Sequence, residues 1–238
     1  MTRREFIGGC TAVAAGVSLG NPVRGILGGR RDYSLKGSLP FDSEVEYIES
    51  TGEQWIDTGC ILTSNSHLTI RMSDYLVPGA WMFGARRAYL QNAIGVYADA
   101  GAANNEFRFA FGTYLSEYKF TYTTRSDIVG ITTIDINAGL LTITRERIPN
   151  TYRELASKQS FVTPCPFYLF TMNQNGLRTN ISHMRLYGAS IDSMLELVPV
   201  RYTNEYGETE GALYDRLSGY IFRNQGTGSF LIGPDVIY

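Results

Sequence analysis

The sequence predicts an all-β chain folded as a two-sheet antiparallel sandwich of jelly-roll type. Three observations predict it: apolar residues alternate with polar ones in short runs, clusters of Gly, Asn, Pro and Ser separate those runs, and no strong amphipathic helical period occurs. His67–Ser73 sets Leu68, Ile70 and Met72 on one face and Thr69 and Arg71 on the other, as a half-buried strand requires. Glu106–Gly112 repeats the device with Phe107, Phe109 and Phe111 inward, and Lys119–Thr123 does so again. Ile134–Ile136 and Leu141–Ile143, joined by Asn137-Ala-Gly139, read as a hairpin. Further strands are expected at Trp55–Ile61, Ala80–Ala85, Ala93–Tyr97, Pro166–Met172, Ile181–Tyr187, Leu197–Tyr202 and Tyr220–Arg223. Helix is confined to short pieces at Thr151–Lys158 and Ala189–Met194. Two twisted sheets packed face to face would bury the alternate aromatic and aliphatic rows.

A chain of 238 residues that is 44% hydrophobic, with 16 tyrosines, is long enough for one sizeable core, and a single domain is expected. Charged residues make up only 18%, the formal net charge is -2, and no run of Lys or Arg occurs beyond the first 31 residues. The electrostatic footprint of a nucleic-acid-binding protein is therefore missing.

Residues 1–31 begin with charge and continue as an apolar, Gly/Ala-rich run too short for a comfortable membrane span. Thr2-Arg3-Arg4-Glu5-Phe6-Ile7 resembles a twin-arginine export signal, with Arg3, Arg4 and Phe6 as its defining positions. The resemblance implies a periplasmic or extracellular address, with membrane contact only through this segment if it stays uncleaved. Cys10 opens the apolar run rather than following it, which argues against lipidation. Residues 32–43 read as a linker and 44–238 as the domain. Removing residues 1–31, with five arginines and one glutamate, takes the formal charge from -2 to -6. Cys60 and Cys165 remain, either as a disulfide in an oxidising compartment or as two unpaired, half-buried thiols. No Cys/His spacing suggests zinc.

Several segments carry a family resemblance. Glu46-Tyr-Ile-Glu-Ser-Thr-Gly-Glu-Gln-Trp-Ile-Asp-Thr-Gly59, Met82-Phe-Gly-Ala-Arg86, Phe107-Arg-Phe-Ala-Phe-Gly112, Met184-Arg-Leu-Tyr187, Leu197-Val-Pro-Val-Arg201 and Gly211-Ala-Leu-Tyr-Asp-Arg-Leu-Ser-Gly-Tyr-Ile-Phe222 resemble the concanavalin A-like lectin/glucanase superfamily, and within it the laminin-G-like modules of exported bacterial and phage proteins. The resemblance covers about residues 44–236. It implies a jelly roll whose first and last strands lie side by side, on a fold that hosts lectins, adhesion modules and glycosidases alike.

Glu44-Val-Glu-Tyr-Ile-Glu49 resembles the Glu-x-Asp-x-x-Glu signature of laminarinase-type glycosidases on this fold. A retaining enzyme needs two carboxyls about 5 to 5.5 Å apart on one side of a cleft. In a regular strand Glu44 and Glu46 share a face and Glu49 points to the other, and the middle residue is Glu rather than Asp. Solvated glutamates beside inward-packing Val45 and Ile48 are therefore expected, with no catalytic role. His67 and His183 have no partnering acid nearby in sequence, and no Gly-x-Ser-x-Gly elbow occurs within residues 44–238. Calcium is the one cofactor that the laminin-G-like resemblance raises, at Asp99, Asn104 and Asn105, although that loop lacks alternating oxygen ligands and reads as a turn. Asp215 is expected to hydrogen-bond a turn backbone.

Carbohydrate binding needs exposed rings for stacking and a few planar polar donors. Trp81, Tyr89, Tyr97, Arg71 and Arg108 are the available pieces. If Leu90, Ile94 and Val96 face inward, parity turns Tyr89 and Tyr97 outward. The expected function is that of an exported, non-catalytic binding module recognising a glycan or a cell-surface partner. A glycoside hydrolase and a self-assembling surface domain are the alternatives.

Overall fold

The computed structural model describes residues 39–74, 79–88, 91–98, 106–112, 114–121, 130–145, 148–155 and 160–238. Nineteen strands and no helix occur among them. In chain order they are β1 (Ser43–Glu44), β2 (Ile48–Thr51), β3 (Ile56–Asp57), β4 (His67–Asp74), β5 (Trp81–Arg86), β6 (Ala93–Ala98), β7 (Glu106–Gly112), β8 (Tyr114–Thr121), β9 (Thr132–Asn137) and β10 (Leu140–Arg145). They continue as β11 (Ile148–Glu154), β12 (Tyr168–Leu169), β13 (Met172–Gln174), β14 (Leu177–Arg178), β15 (His183–Ile191), β16 (Leu195–Thr203), β17 (Thr209–Asp215), β18 (Ile221–Phe222) and β19 (Leu231–Ile232).

The strands form two sheets. The first runs β11-β10-β9-β4-β15-β16-β17-β18, with β1 added to β16, β2 to β15 and β19 to β2. The second runs β14-β13-β5-β6-β7-β8, with β12 on β5 and β3 on β12. Pairing is antiparallel except between β13 and β5. One core joins the sheets: Leu68, Ile70, Met72, Ile134, Ile136, Met184 and Leu186 from the first belong to the same buried cluster as Phe83, Ile94, Val96, Phe107, Phe109 and Phe111 from the second. The chain is thus an all-β, two-sheet sandwich, and each alternating strand gives one face to this core and the other to the outside.

The predicted hairpin is β9–β10. Ala138 and Gly139 at its tip have φ of 47° and 84°, the pair of left-handed conformations that a two-residue primed turn needs. A side chain at Gly139 would meet the Phe111 ring at 3.1 Å.

Two expectations are corrected. Thr151–Glu154 is strand rather than helix, because Thr151, Tyr152 and Arg153 complete the ladder of β10 opposite Ile143, Thr142 and Leu141. Ala189–Ile191 is likewise strand: it lies between β4 and β16, where both sides of its backbone are paired. Neighbouring strands override a weak helical period.

The ends of the domain close on each other. β2 pairs antiparallel with β19, Glu49 opposite Leu231 and Ile48 opposite Ile232. Beyond it, Gln54 Nε2 donates to Thr227 O (3.0 Å), Trp55 N donates to Asn224 Oδ1 (3.1 Å) and Gln225 N donates to Trp55 O (2.9 Å). Residues 48–55 and 224–232 are therefore one structural seam, as the side-by-side placement of first and last strands implies.

Candidate binding surface

On β6, Val96 and Ala98 enter the core, so Tyr97 between them faces outward. On β5, Phe83 also enters the core, and simple parity would send Trp81 with it. A bulge between Trp81 and Phe83 reverses that: Trp81 lies opposite Tyr97, whereas Phe83 lies opposite Val96. Tyr97 in turn lies opposite Arg108 of β7. Trp81, Tyr97 and Arg108 thus form one cross-strand row on the outer face of the second sheet.

The row stands beside a small apolar cluster of its own, made by Trp81, Ala93, Ala110 and Met172, with Tyr97 packed against it. The Trp81 and Tyr97 ring centroids are 5.1 Å apart at 31°. Gly84 and Gly95 face each other, and the Met172 methyl sits 2.5 and 2.6 Å from where their Cβ atoms would be, so only glycine leaves room for it. Arg86 lays its guanidinium 4.8 Å from the Trp81 ring centroid and donates from Nε and Nη2 to Gln174 Oε1 at 3.0 and 2.6 Å. Trp81 is 7% exposed, while Tyr97 and Arg108 are half-buried. The accessible part of the row is therefore contributed by Tyr97 and Arg108, backed by the nearly buried Trp81 indole.

Arg86, Gln174 and Met172 escape sequence reasoning. Met172 and Gln174 reach the site through the parallel β13–β5 pair, a long-range contact with no local signal. Arg86 shares the parity of Gly84 in Met82-Phe-Gly-Ala-Arg86, which is the one clue the sequence holds. Arg71 is not part of this surface: it is exposed on β4 of the first sheet, opposite Thr133 and Gly188. Tyr89, the calcium candidates Asp99, Asn104 and Asn105, and the signal positions Arg3, Arg4 and Phe6 lie outside the described residues.

The three glutamates do not act together. Val45 and Ile48 pack inward as expected, at 2% and 0% exposure. Glu44 pairs with β16 and accepts from Arg216 Nη2 at 2.9 and 2.8 Å. Glu46 is solvated. Glu49, expected in solvent, is instead buried on the outer side of β2: Oε1 lies 3.1 Å from His183 Nε2 and Oε2 accepts from Arg185 Nε at 2.7 Å. Arg185 also stacks 4.4 Å from the Tyr47 ring centroid. Glu44 is held by Arg216 in the turn after β17 and Glu49 by Arg185 of β15, so the two carboxylates have separate cations.

The histidines do have acidic partners, which are not near them in sequence but come from other strands. His67 Nε2 lies 2.7 Å from Asp135 Oδ2, which also accepts from Thr69 Oγ1 at 2.8 Å, and His183 meets Glu49. Among the described residues no group of three or more His, Cys, Asp or Glu is arranged to hold a metal.

No disulfide joins Cys60 and Cys165; both are buried thiols, and Cys165 Sγ donates to the carbonyls of Arg86 (3.4 Å) and Asn173 (3.5 Å). Both thiols are more deeply buried than the half-buried state expected from the sequence.

No family model matches the sequence, and no curated protein matches it. Among solved structures, domains LG4-5 of the mouse laminin alpha1 chain are similar with a TM-score of 0.41 and 12% identity, over 83% of this chain and 46% of that one. This chain therefore spans less than half of that structure's length.

Proposed function

We propose that this chain is an exported, non-catalytic binding module that takes a carbohydrate on the outer face of its second sheet. The observation that supports the reading is the register of Trp81, Tyr97 and Arg108. The core already fills the inner face, so an aromatic pair, the braced Arg86 and Arg108 on the outer face meet no need of the shared core. In this role Tyr97 lies against the apolar C–H face of a sugar ring, Arg108 donates to ring hydroxyls, and Trp81, Arg86 and Gln174 hold the tyrosine in place. Export rests on Arg3, Arg4 and Phe6, and no helix among the described residues is long and apolar enough to cross a membrane.

The test is a glycan-array screen of the full chain beside its Tyr97→Ala variant. Specific glycan signals that weaken in the variant are the expected result. A blank array, or signals that Tyr97→Ala leaves intact, would overturn the assignment of this face to sugar and turn the search to protein partners.

A further inference from the structure

The segment that enters the domain, Pro40–Glu44, lies on the outer face of the first sheet. Its anchor is Phe41, 8% exposed, which packs with Val200 of β16 and Ala212 of β17 in an apolar cluster distinct from the shared core. Tyr202, Tyr214 and Ile221 rim that cluster, and the Phe41 and Tyr214 ring centroids are 4.9 Å apart. Polar contacts hold the backbone: Asp42 N donates to Arg201 O (2.9 Å) and Asp42 Oδ2 accepts from Thr203 Oγ1 (2.7 Å). Ser43 Oγ donates to Asp235 Oδ1 (2.8 Å), and Val236 N donates to Glu44 O (2.9 Å). Leu39, one residue before the segment, is 62% exposed.

We propose that Pro40–Glu44 is a strap that opens and closes on this face without unfolding of the sandwich. Val200 and Ala212 are held by the β16–β17 ladder whether or not Phe41 covers them, so the recess survives opening. Closure rests on one buried ring, on the two-residue β1–β16 ladder, on the Glu44–Arg216 ion pair and on hydrogen bonds that are mostly exposed, and the entropy of ordering five backbone residues offsets much of this. Closed, the strap fixes where the preceding chain departs, on the side of the sandwich opposite Trp81, Tyr97 and Arg108. Open, it frees that departure point and uncovers Val200, Ala212 and Tyr214 as an apolar recess.

Residue-resolved amide hydrogen exchange on the full chain tests this. The amides of Asp42 and Val236 are expected to exchange through a local opening with little denaturant dependence, well ahead of the ladder amides of β4 and β6. Phe41→Ala is expected to speed the first pair at least about tenfold and to leave the ladder amides unchanged. A common opening for both sets in the wild-type chain would overturn the proposal. So would a Phe41→Ala variant in which β4 and β6 lose protection as much as Asp42 does, because the segment would then belong to the cooperative core.

Discussion

Trp81 and Tyr97 face each other across β5 and β6 with ring centroids 5.1 Å apart, on the side of the second sheet that the shared core does not use. The two rings differ in burial, and this separates ligand contact from support. Tyr97→Ala removes a half-buried ring and is expected to cost less than about 1.5 kcal/mol of stability while lowering glycan affinity at least about tenfold. Trp81→Ala removes the ring that Arg86 and Met172 pack on and is expected to cost about 3 kcal/mol. Urea denaturation of both variants beside a binding titration measures the contrast.

Gly226 makes the closest approach in the seam between the chain's ends. A Cβ there would stand 1.9 Å from the backbone oxygen of Glu53 and 3.1 Å from Trp55 Cδ1. A backbone oxygen cannot rotate away, so the seam must part. Gly226→Ala is expected to destabilise by about 3 kcal/mol or more, whereas Gly130→Ala, with nothing within 4 Å, stays within about 0.5 kcal/mol. Thermal denaturation of the two variants checks the difference.

Alternation made the inner faces legible, because Leu68, Ile70 and Met72 or Phe107, Phe109 and Phe111 must point the same way in any regular strand. It also turned Tyr97 outward. What it cannot carry is anything that depends on register. The bulge that sends Trp81 outward is defined only against β6, and the partners of Glu49, His67 and His183 come from strands far away in sequence. The misread helices fail for the same reason, since Thr151–Glu154 and Ala189–Ile191 are fixed by the strands beside them. Of the candidate surface, the sequence supplies the outward Tyr97 and the residue types, and pairing supplies the assembly.

Asp235 links the entering strap to the end of the chain, and its acidity gives that link a pH dependence. The hydrogen bond from Ser43, and then that from Arg201, hold its carboxyl below the ordinary aspartate value. A depressed folded-state value means that the stabilisation is fully present above the unfolded-state value and is lost as the pH falls through the folded one. Asp235→Asn is therefore expected to lower the urea midpoint at about pH 6, with the deficit shrinking at acid pH as the wild-type carboxyl becomes protonated. Asp235 is solvent-exposed, so the difference is small. An equal deficit at about pH 6 and at acid pH would show that charge plays no part in the clamp.

Asp215 shows how a conspicuous acid can be wholly structural. It is 0% exposed, and its Oδ1 accepts from the backbone of Glu196 (2.8 Å) and Leu217 (3.2 Å). Its Oδ2 accepts from Ser218 N (3.1 Å) and from the Ser218 hydroxyl. Four donors at one carboxylate fix the turn between β17 and β18 and tie it to the start of β16. Asp215→Ala leaves those donors without an acceptor in a buried place, at an expected cost of about 3 kcal/mol or more. Asp215→Asn keeps one acceptor oxygen and turns the other position into a donor facing donors, so a loss of about 2 kcal/mol is expected. Because the turn belongs to the first sheet, glycan affinity measured on the folded fraction of either variant should match that of the wild-type chain. A selective loss of binding in Asp215→Asn would instead place the recognition surface on the first sheet, away from Tyr97.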